Sequence, residues 1–497
     1  MLTAAAALVA VAALAPLLQL TVRAVGGDFA ASLANLWRPR TGELLINTIS
    51  LTATVSVACL LLGLAIAWAV TRVALPGRAL WWTAVCLPLA VPSFVAAFAF
   101  KATWPTVHGF WPLVLVLTLS LTPYVTAPVM GALALADHSQ VEVARTLGVP
   151  PATAVFRVLG PQVLPAALAG ALLVALYTLA DFGAPAMLRF ETMTTGIYAQ
   201  FTGGLDRSLS ATSALVLAAL ALLCISGERR ARSRTARGER SVSTARPPLI
   251  RATRTRIIAA ALVGISVLAA VAFPVGALIV RSFSAERFGS TPVDLLGAGL
   301  TSLAIGLATA TIATLAALPV AYLAARFRGR LTSAIEAAAF VGHALPGLVV
   351  AIALVALSLQ FTPGAYQTLT ILIVAYVILF VPKAIGSART AISQVPLPIE
   401  DVAQSLGRSS LKTWWSVTFP LSLPGTAVGF LLVALSVMKE LPATLMLRPI
   451  GVDTLATELW SKTSIGAYGA AAPVGILLII VGVVPAWLVA RSVRRAM

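Results

Sequence analysis

Two polar passages interrupt an otherwise apolar chain, and they hold its best-defined chemistry. Residues 142–166 read EVARTLGVPPATAVFRVLGPQVLPA, and residues 401–425 read DVAQSLGRSSLKTWWSVTFPLSLPG. Laid gap-free at an offset of 259, Glu142 meets Asp401, Ala144 meets Ala403 and Leu147-Gly148 meets Leu406-Gly407. Pro161 then meets Pro420, and Leu164-Pro165 meets Leu423-Pro424. An acid, a small residue and a glycine six positions beyond the acid are not the parts of a catalytic centre. They predict a short helix whose first-turn carboxylate is favoured by the helix dipole and whose glycine closes it at positive φ. Many loops between membrane helices contain a glycine and a Leu-Pro, so one copy says little. Two copies, each with 17 residues from glycine to the second proline, specify an exposed docking element. The second copy carries an extra acid, Glu400, just before Asp401.

A further set of ionisable residues falls inside apolar sequence. Asp181 and the pair Lys439-Glu440 occupy matching positions near the ends of two apolar runs. Charges at such depth are costly and face a cavity or a partner. They either line or gate the outer mouth of a pathway, or mark the membrane interface, where charge is cheap. Cys59, Cys86 and Cys224 stand singly, without disulfide or metal spacing. His108, His138 and His343 are dispersed, and no metal site is expected from them. The chain contains no Gly-Lys dipeptide and hence no G-x-x-x-x-G-K-[ST] phosphate loop. No cofactor is expected in this chain, and any ATP would be bound elsewhere.

The elements that position these residues are set by composition. The 497 residues are 59% hydrophobic and only 10% charged, with a mean hydropathy of +0.96, whereas soluble domains carry about 25% charged residues. The apolar residues come in runs of about 20 or more, the length a helix needs to cross roughly 30 Å of hydrocarbon. The fold class is therefore an all-α polytopic membrane protein. Twelve spans are predicted, near 4–22, 44–70, 80–101, 112–133, 163–183, 209–226, 257–280, 297–325, 334–359, 366–390, 421–441 and 467–490. Prolines inside several, including Pro88, Pro92, Pro319 and Pro346, are expected to be tolerated, because neighbouring helices can re-satisfy the freed carbonyls.

Positive charge orients the chain. With both termini cytoplasmic, the inner side holds 24 of the 35 basic residues, among them Lys383 and ten arginines between Arg229 and Arg256. The inner side then carries +17 and the outer +1. The Arg-rich stretch 227–256 lacks aromatic or folded recognition motifs, so it is read as a disordered cytoplasmic linker and not as a nucleic-acid site. It separates a first half, 1–226, from a second, 257–497. The halves repeat: NTISLTATVSVACLLLGLAIAWAVTR (47–72) lies over TSLAIGLATATIATLAALPVAYLAAR (301–326) at an offset of 254, Pro92 falls on Pro346, and DFGAPAMLR (181–189) lies over ELPATLMLR (440–448) at 259. An even number of spans per half makes the repeat parallel, with a docking element in each half, near 137–166 and 396–425.

The E-x-A-x-x-x-G pattern followed by Leu-Pro resembles the EAA loop of the membrane subunits of binding-protein-dependent ABC importers, and the resemblance covers nearly the whole chain. DFGAP in one half, with MKELPATLMLRP (438–449) and DTLATELW (453–460) in the other, is most similar to the ferric-iron permeases of that family. Thiamine, polyamine and sulfate permeases are relatives with the same loop. The resemblance implies a type I importer fold in the cell inner membrane and no enzymatic activity in this chain. It also implies two copies of a separate ATPase, which bind ATP and Mg, and an extracytoplasmic substrate-binding protein. Glu142, Ala144, Gly148, Glu400, Asp401, Ala403 and Gly407 would form the ATPase-coupling helices. Asp401 departs from the family's glutamate, keeping its charge on a shorter side chain. An ion-coupled secondary carrier is the reading of another class. It would place carboxylates at mid-depth, where these spans have none, and would have no use for a doubled docking loop.

Overall fold

A computed structural model describes residues 2–26, 34, 37–136, 139–203, 207–238, 249–283 and 292–495. Among them the fold is helical throughout, apart from an isolated bridge between Val73 and Ile250. Nine helices are long and apolar enough to cross a membrane, and two further helix pairs form bent spans. With the apolar helix Tyr468–Val484, each of the twelve predicted runs has its counterpart.

The bends are where expectation and structure part. Arg78–Ala90 and Ser93–Thr103 meet at 82°, and Arg330–Ala344 and Gly347–Phe361 meet at 103°. Pro92 and Pro346, at the same place in each half, are extended (ψ 142° in both) and act as N-caps of new helices. Pro16, Pro128, Pro161, Pro165, Pro319, Pro382 and Pro424 remain inside continuous helices. A π-helical turn, Trp414–Thr418, links the second docking segment to the span Phe419–Met438. The corresponding stretch of the first half lies within the unbroken helix Pro151–Ala180.

The chain packs as two compact units that cut across the linear halves. One unit comprises Met1–Arg38, Ile197–Ala218 and Ser290–Ser461. In it, the N-terminal helix Leu2–Gly26 lies against Pro292–Arg326, Arg330–Ala339 and Gly347–Phe361. Ala6, Ala10 and Ala13 form the small-residue stripe that buries there, letting backbones approach. The other unit comprises Pro39–Gly196, Ala219–Gly289 and Lys462–Met497. Here Phe273–Ser282 packs on Ser93–Thr103 and on Tyr468–Arg495. The helix that opens each half packs with the other half's sequence.

Inside each unit the same devices recur. A Cβ at Gly170 would sit 2.8 Å from the Tyr124 carbonyl oxygen, and one at Gly429, its repeat counterpart, 2.7 Å from Ser387 Cβ. Thr48 accepts the Met193 N–H at 2.8 Å, and Ser302, which matches Thr48, accepts that of Leu455 at 2.8 Å. The expected disordered linker is in part ordered. The helix Arg207–Gly238 runs through its first twelve residues, where Arg, Ala and Glu are good helix formers. Ile250 donates to the Arg72 carbonyl at 2.9 Å and accepts from Ala74 at 3.0 Å. Residues 239–248 lie outside the described residues, as does His138.

Candidate functional site: two docking helices and two capped breaks

The first docking segment folds as the helix Ser139–Thr146, with Glu142 exposed in its first turn. Gly148 has φ +82°. Its N–H donates to the Arg145 carbonyl at 3.0 Å, and Val149 N–H donates to that of Ala144 at 3.1 Å. These are the paired bonds of a Schellman termination, and Ala144 supplies one of the two acceptors. The second segment repeats this in Leu397–Ser405: Gly407 has φ +85°, its N–H reaches Gln404 at 2.9 Å, and Arg408 N–H reaches Ala403 at 3.2 Å. On both helices the same apolar positions face outward. Val143 and Val402 are 57% and 58% exposed, and Leu147 and Leu406 are 78% and 77% exposed. The two helices thus expose the same pair of apolar positions.

Glu142 and Asp401 are both exposed, Ala144 is half-buried and Ala403 buried. Glu400 departs from the role expected of it. Its carboxylate is buried, taking Arg326 Nη2 at 2.5 Å and Thr418 Oγ1 at 2.8 Å. The same Arg326 nitrogen donates to the Val395 carbonyl at 3.0 Å. Glu400 therefore faces its own chain and latches the docking helix to the end of the span Pro292–Arg326 and to the π turn. Trp414, packed on Ala321, Ala388 and Ile392, anchors that turn. The first half has an arginine at the matching place, buried Arg72 beside the Trp68 ring, but Val141 stands where the second has Glu400.

Asp181 and Glu440 sit at the ends of their spans as expected, and the structure gives them a task that sequence alone did not. Each caps a short helix. Asp181 Oδ1 accepts the Ala184 N–H at 3.0 Å at the start of Gly183–Met187, and Ser93 lies close to its carboxylate. Glu440 accepts the Ala443 and Thr444 N–H groups, each at 3.1 Å, at the start of Pro442–Leu447. Thr444 Oγ1 in turn lies 2.5 Å from the Tyr376 hydroxyl. The Glu440 carboxylate is held by these backbone donors. Gly347 explains the longer acid: a Cβ there would collide with Glu440 Oε1. Ser93 and Gly347 are the matching residues just after the two bends. One half therefore pairs Asp with Ser, and the other pairs Glu with Gly, across the same junction.

Lys383 is a residue that sequence reasoning assigned to the wrong place. Counted there with the basic residues of the inner side, it lies within Leu369–Ser393, ten residues and so about 15 Å from the helix end. Its ammonium donates to Ser436 Oγ at 2.7 Å and sits 5.0 Å from the Phe380 ring centroid. The repeat places Tyr124 and Tyr177 at these two positions in the first half, where their rings stack 4.5 Å apart. Its signal was visible, a lone cation inside an apolar run. Lys439 is half-buried and engaged within the structure. Cys59 and Cys86 are buried, Cys224 is half-buried and all three are free thiols. Among the described residues no group of three His, Cys, Asp or Glu side chains is placed to hold a metal ion.

Comparison with known proteins gives consistent matches. The family model described as binding-protein-dependent transport system inner membrane component matches residues 60–229 and again 317–497. The Fe(3+)-transport system permease protein FbpB 2 of Haemophilus influenzae is 32% identical over 481 residues, covering 96% of this chain and 95% of that protein. The molybdate/tungstate transport system permease protein WtpB of Pyrococcus abyssi is 30% identical over 199 residues, 38% of this chain and 77% of its own length. A putative 2-aminoethylphosphonate transport system permease protein, PhnU of Salmonella choleraesuis, is 27% identical over 215 residues, 38% of this chain and 75% of its own.

Proposed function

This chain belongs to the family of binding-protein-dependent transport system inner membrane components, and on that premise we propose that it is the fused, two-half permease of an importer of ferric iron. The energy comes from two copies of a separate ATPase, which bind ATP and Mg, and the cargo is handed over by an extracytoplasmic binding protein. The observation that carries this reading is the matched pair of docking helices, alike in acid, αL glycine and outward-facing Val and Leu. Each docks on one ATPase copy, with Glu142 or Asp401 offered to donors there and Leu147 or Leu406 seated in an apolar recess. Movement of the docking helices passes into the spans they join. The short helices after the capped breaks, in 183–203 and 442–464, lie on the face that receives the binding protein.

Replacing Gly148 or Gly407 by valine tests the docking helices. No atom lies within 4 Å of a Cβ at either position, so the strain is the backbone's own. A β-branched residue held at positive φ costs roughly 1–2 kcal/mol, which weakens ATPase association about tenfold. Asparagine visits that region readily, so Gly148→Asn and Gly407→Asn are expected to retain uptake. If the valine variants capture the ATPase and transport as well as the parent, the loops are ordinary connectors.

The charge distribution supports cytoplasmic termini and docking helices on the same side. A cysteine at exposed Leu406 is then shielded from an impermeant thiol reagent in intact cells, and one at exposed Ile450 labels. The reverse pattern inverts the topology.

Iron as cargo is supported by the similarity to the FbpB 2 permease over 96% of this chain, against 38% for each of the other two. Cells lacking this chain are expected to lose uptake of radiolabelled iron under iron limitation while retaining that of molybdate. Loss of molybdate uptake alone would reassign the cargo.

A further inference from the structure

Beside the second docking helix lies a cavity of about 550 Å³. It opens where the span Pro292–Arg326 ends and the bent span from Arg330 begins, and Leu397 of the docking helix forms part of its wall. Its walls carry Arg326, Arg328 and Arg389, the hydroxyls of Ser333 and Ser393, and one carboxylate, Glu336. Glu336 pairs with Arg389, and Arg326 pairs with Glu400. Arg328 makes no ion pair among the described residues, leaving one positive charge in excess. The Arg326 side chain is only 7% exposed, yet its Nε–H is buried without a hydrogen-bond partner. The same holds for the Nε–H of Arg72, the counterpart in the first half, so what distinguishes the second half is the cavity that the Arg326 guanidinium lines together with Arg328 and Arg389.

A second cavity of about 470 Å³ adjoins the first through Glu336, Arg389 and Ser393, and continues along the span past Phe340 and Gly386. Phe327 and Leu331, beside the first cavity, are exposed apolar side chains. A basic, head-sized space at the end of a membrane helix, with the exposed apolar Phe327 and Leu331 beside it, has the form of a site for the headgroup of an anionic phospholipid.

We propose that this cavity binds a phosphate group, carried by an anionic phospholipid. The guanidinium that holds the Glu400 latch lines the same space, so an occupied site stiffens the latch and with it the second docking helix. Nothing in this proposal depends on the identity of the cargo or on the ATPase.

The test is native mass spectrometry of the full-length chain in detergent, with phosphatidylglycerol, phosphatidylcholine or inorganic phosphate as probe. Phosphatidylglycerol is expected to be retained in preference to phosphatidylcholine. Arg328→Gln should reduce that preference about fivefold, the share of one surface arginine. Arg328→Lys should keep it, and Ser333→Asp, which puts a negative charge on the wall, should remove it. Arg328 and Ser333 are both exposed, so these variants fold. If inorganic phosphate binds and displaces phosphatidylglycerol, the site stands and free phosphate is its ligand. Equal retention of the two lipids without phosphate binding, or a preference that survives Arg328→Gln and Ser333→Asp together, overturns the proposal.

Discussion

Glu400→Gln is expected to lower the stability of this permease by about 3–5 kcal/mol, the cost of leaving the partner of a buried ion pair uncompensated. Arg326 and Glu400 are 7% and 6% exposed and 2.5 Å apart. The glutamine retains the shape and a bond to Thr418 but not the charge, so Arg326 is left buried beside a neutral group. The measurement is the thermal inactivation temperature of the purified chain, with uptake in reconstituted vesicles as the second readout. Both should fall. The double variant Arg326→Met, Glu400→Leu should recover most of the stability, since apolar pairs often replace buried ion pairs without loss. It should not recover uptake, because the docking helix is then no longer tied through Val395 and Thr418 to the span. An unchanged inactivation temperature in Glu400→Gln would make the pair a spectator. Asp401→Asn has no such structural penalty, Asp401 being exposed, and Glu400, facing inward, cannot substitute for it at an ATPase surface.

The second large effect concerns the junction at the bend. Gly347→Ser alone drives a side chain into the Glu440 carboxylate, overpacking that costs typically 1–3 kcal/mol. Glu440→Asp alone shortens the reach to the Ala443 and Thr444 N–H groups, and an unmet buried donor costs about 1–3 kcal/mol. Together they rebuild the Ser93–Asp181 arrangement of the first half. The double variant should therefore be nearer to the parent than either single change, with a coupling of about 0.5–3 kcal/mol. Ser93→Gly with Asp181→Glu is the reciprocal cycle. Strictly additive losses in thermal inactivation would show that the acid and the small residue do not share one space.

The twelve apolar runs were legible because length and hydropathy alone decide what crosses a membrane. The docking helices were legible because each is a local unit: an acid, an alanine and an αL glycine within seven residues, written twice. The bends were not. Pro92 and Pro346 are chemically the same as Pro319 or Pro424, which leave their helices whole. What singles out the first two is the junction they adjoin, where an acid 89 or 94 residues further along the chain caps another helix beside the residue after the proline. A local reading has no access to that partner. The same limit hid the latch, since Arg326 and Glu400 are 74 residues apart, and it led Glu400 to be grouped with its exposed neighbour.

The π turn at Trp414–Thr418 has a consequence for how the two halves respond to the same push. From residue 151 and its counterpart 410 to the Leu-Pro the two sequences have equal length, yet the first is wound as an unbroken α-helix and the other takes up a residue in the wider turn. One residue is about 100° of rotation in an α-helix, so the second docking helix is set at a different phase to its span than the first. A π turn is also a weaker rod under compression, its hydrogen bonds spanning five residues instead of four. The first half has an unbroken α-helix from residue 151 onward. The second has the wider turn, braced through Thr418 by the Arg326–Glu400 pair, so whatever strengthens or loosens that pair is expected to change the stiffness of the joint.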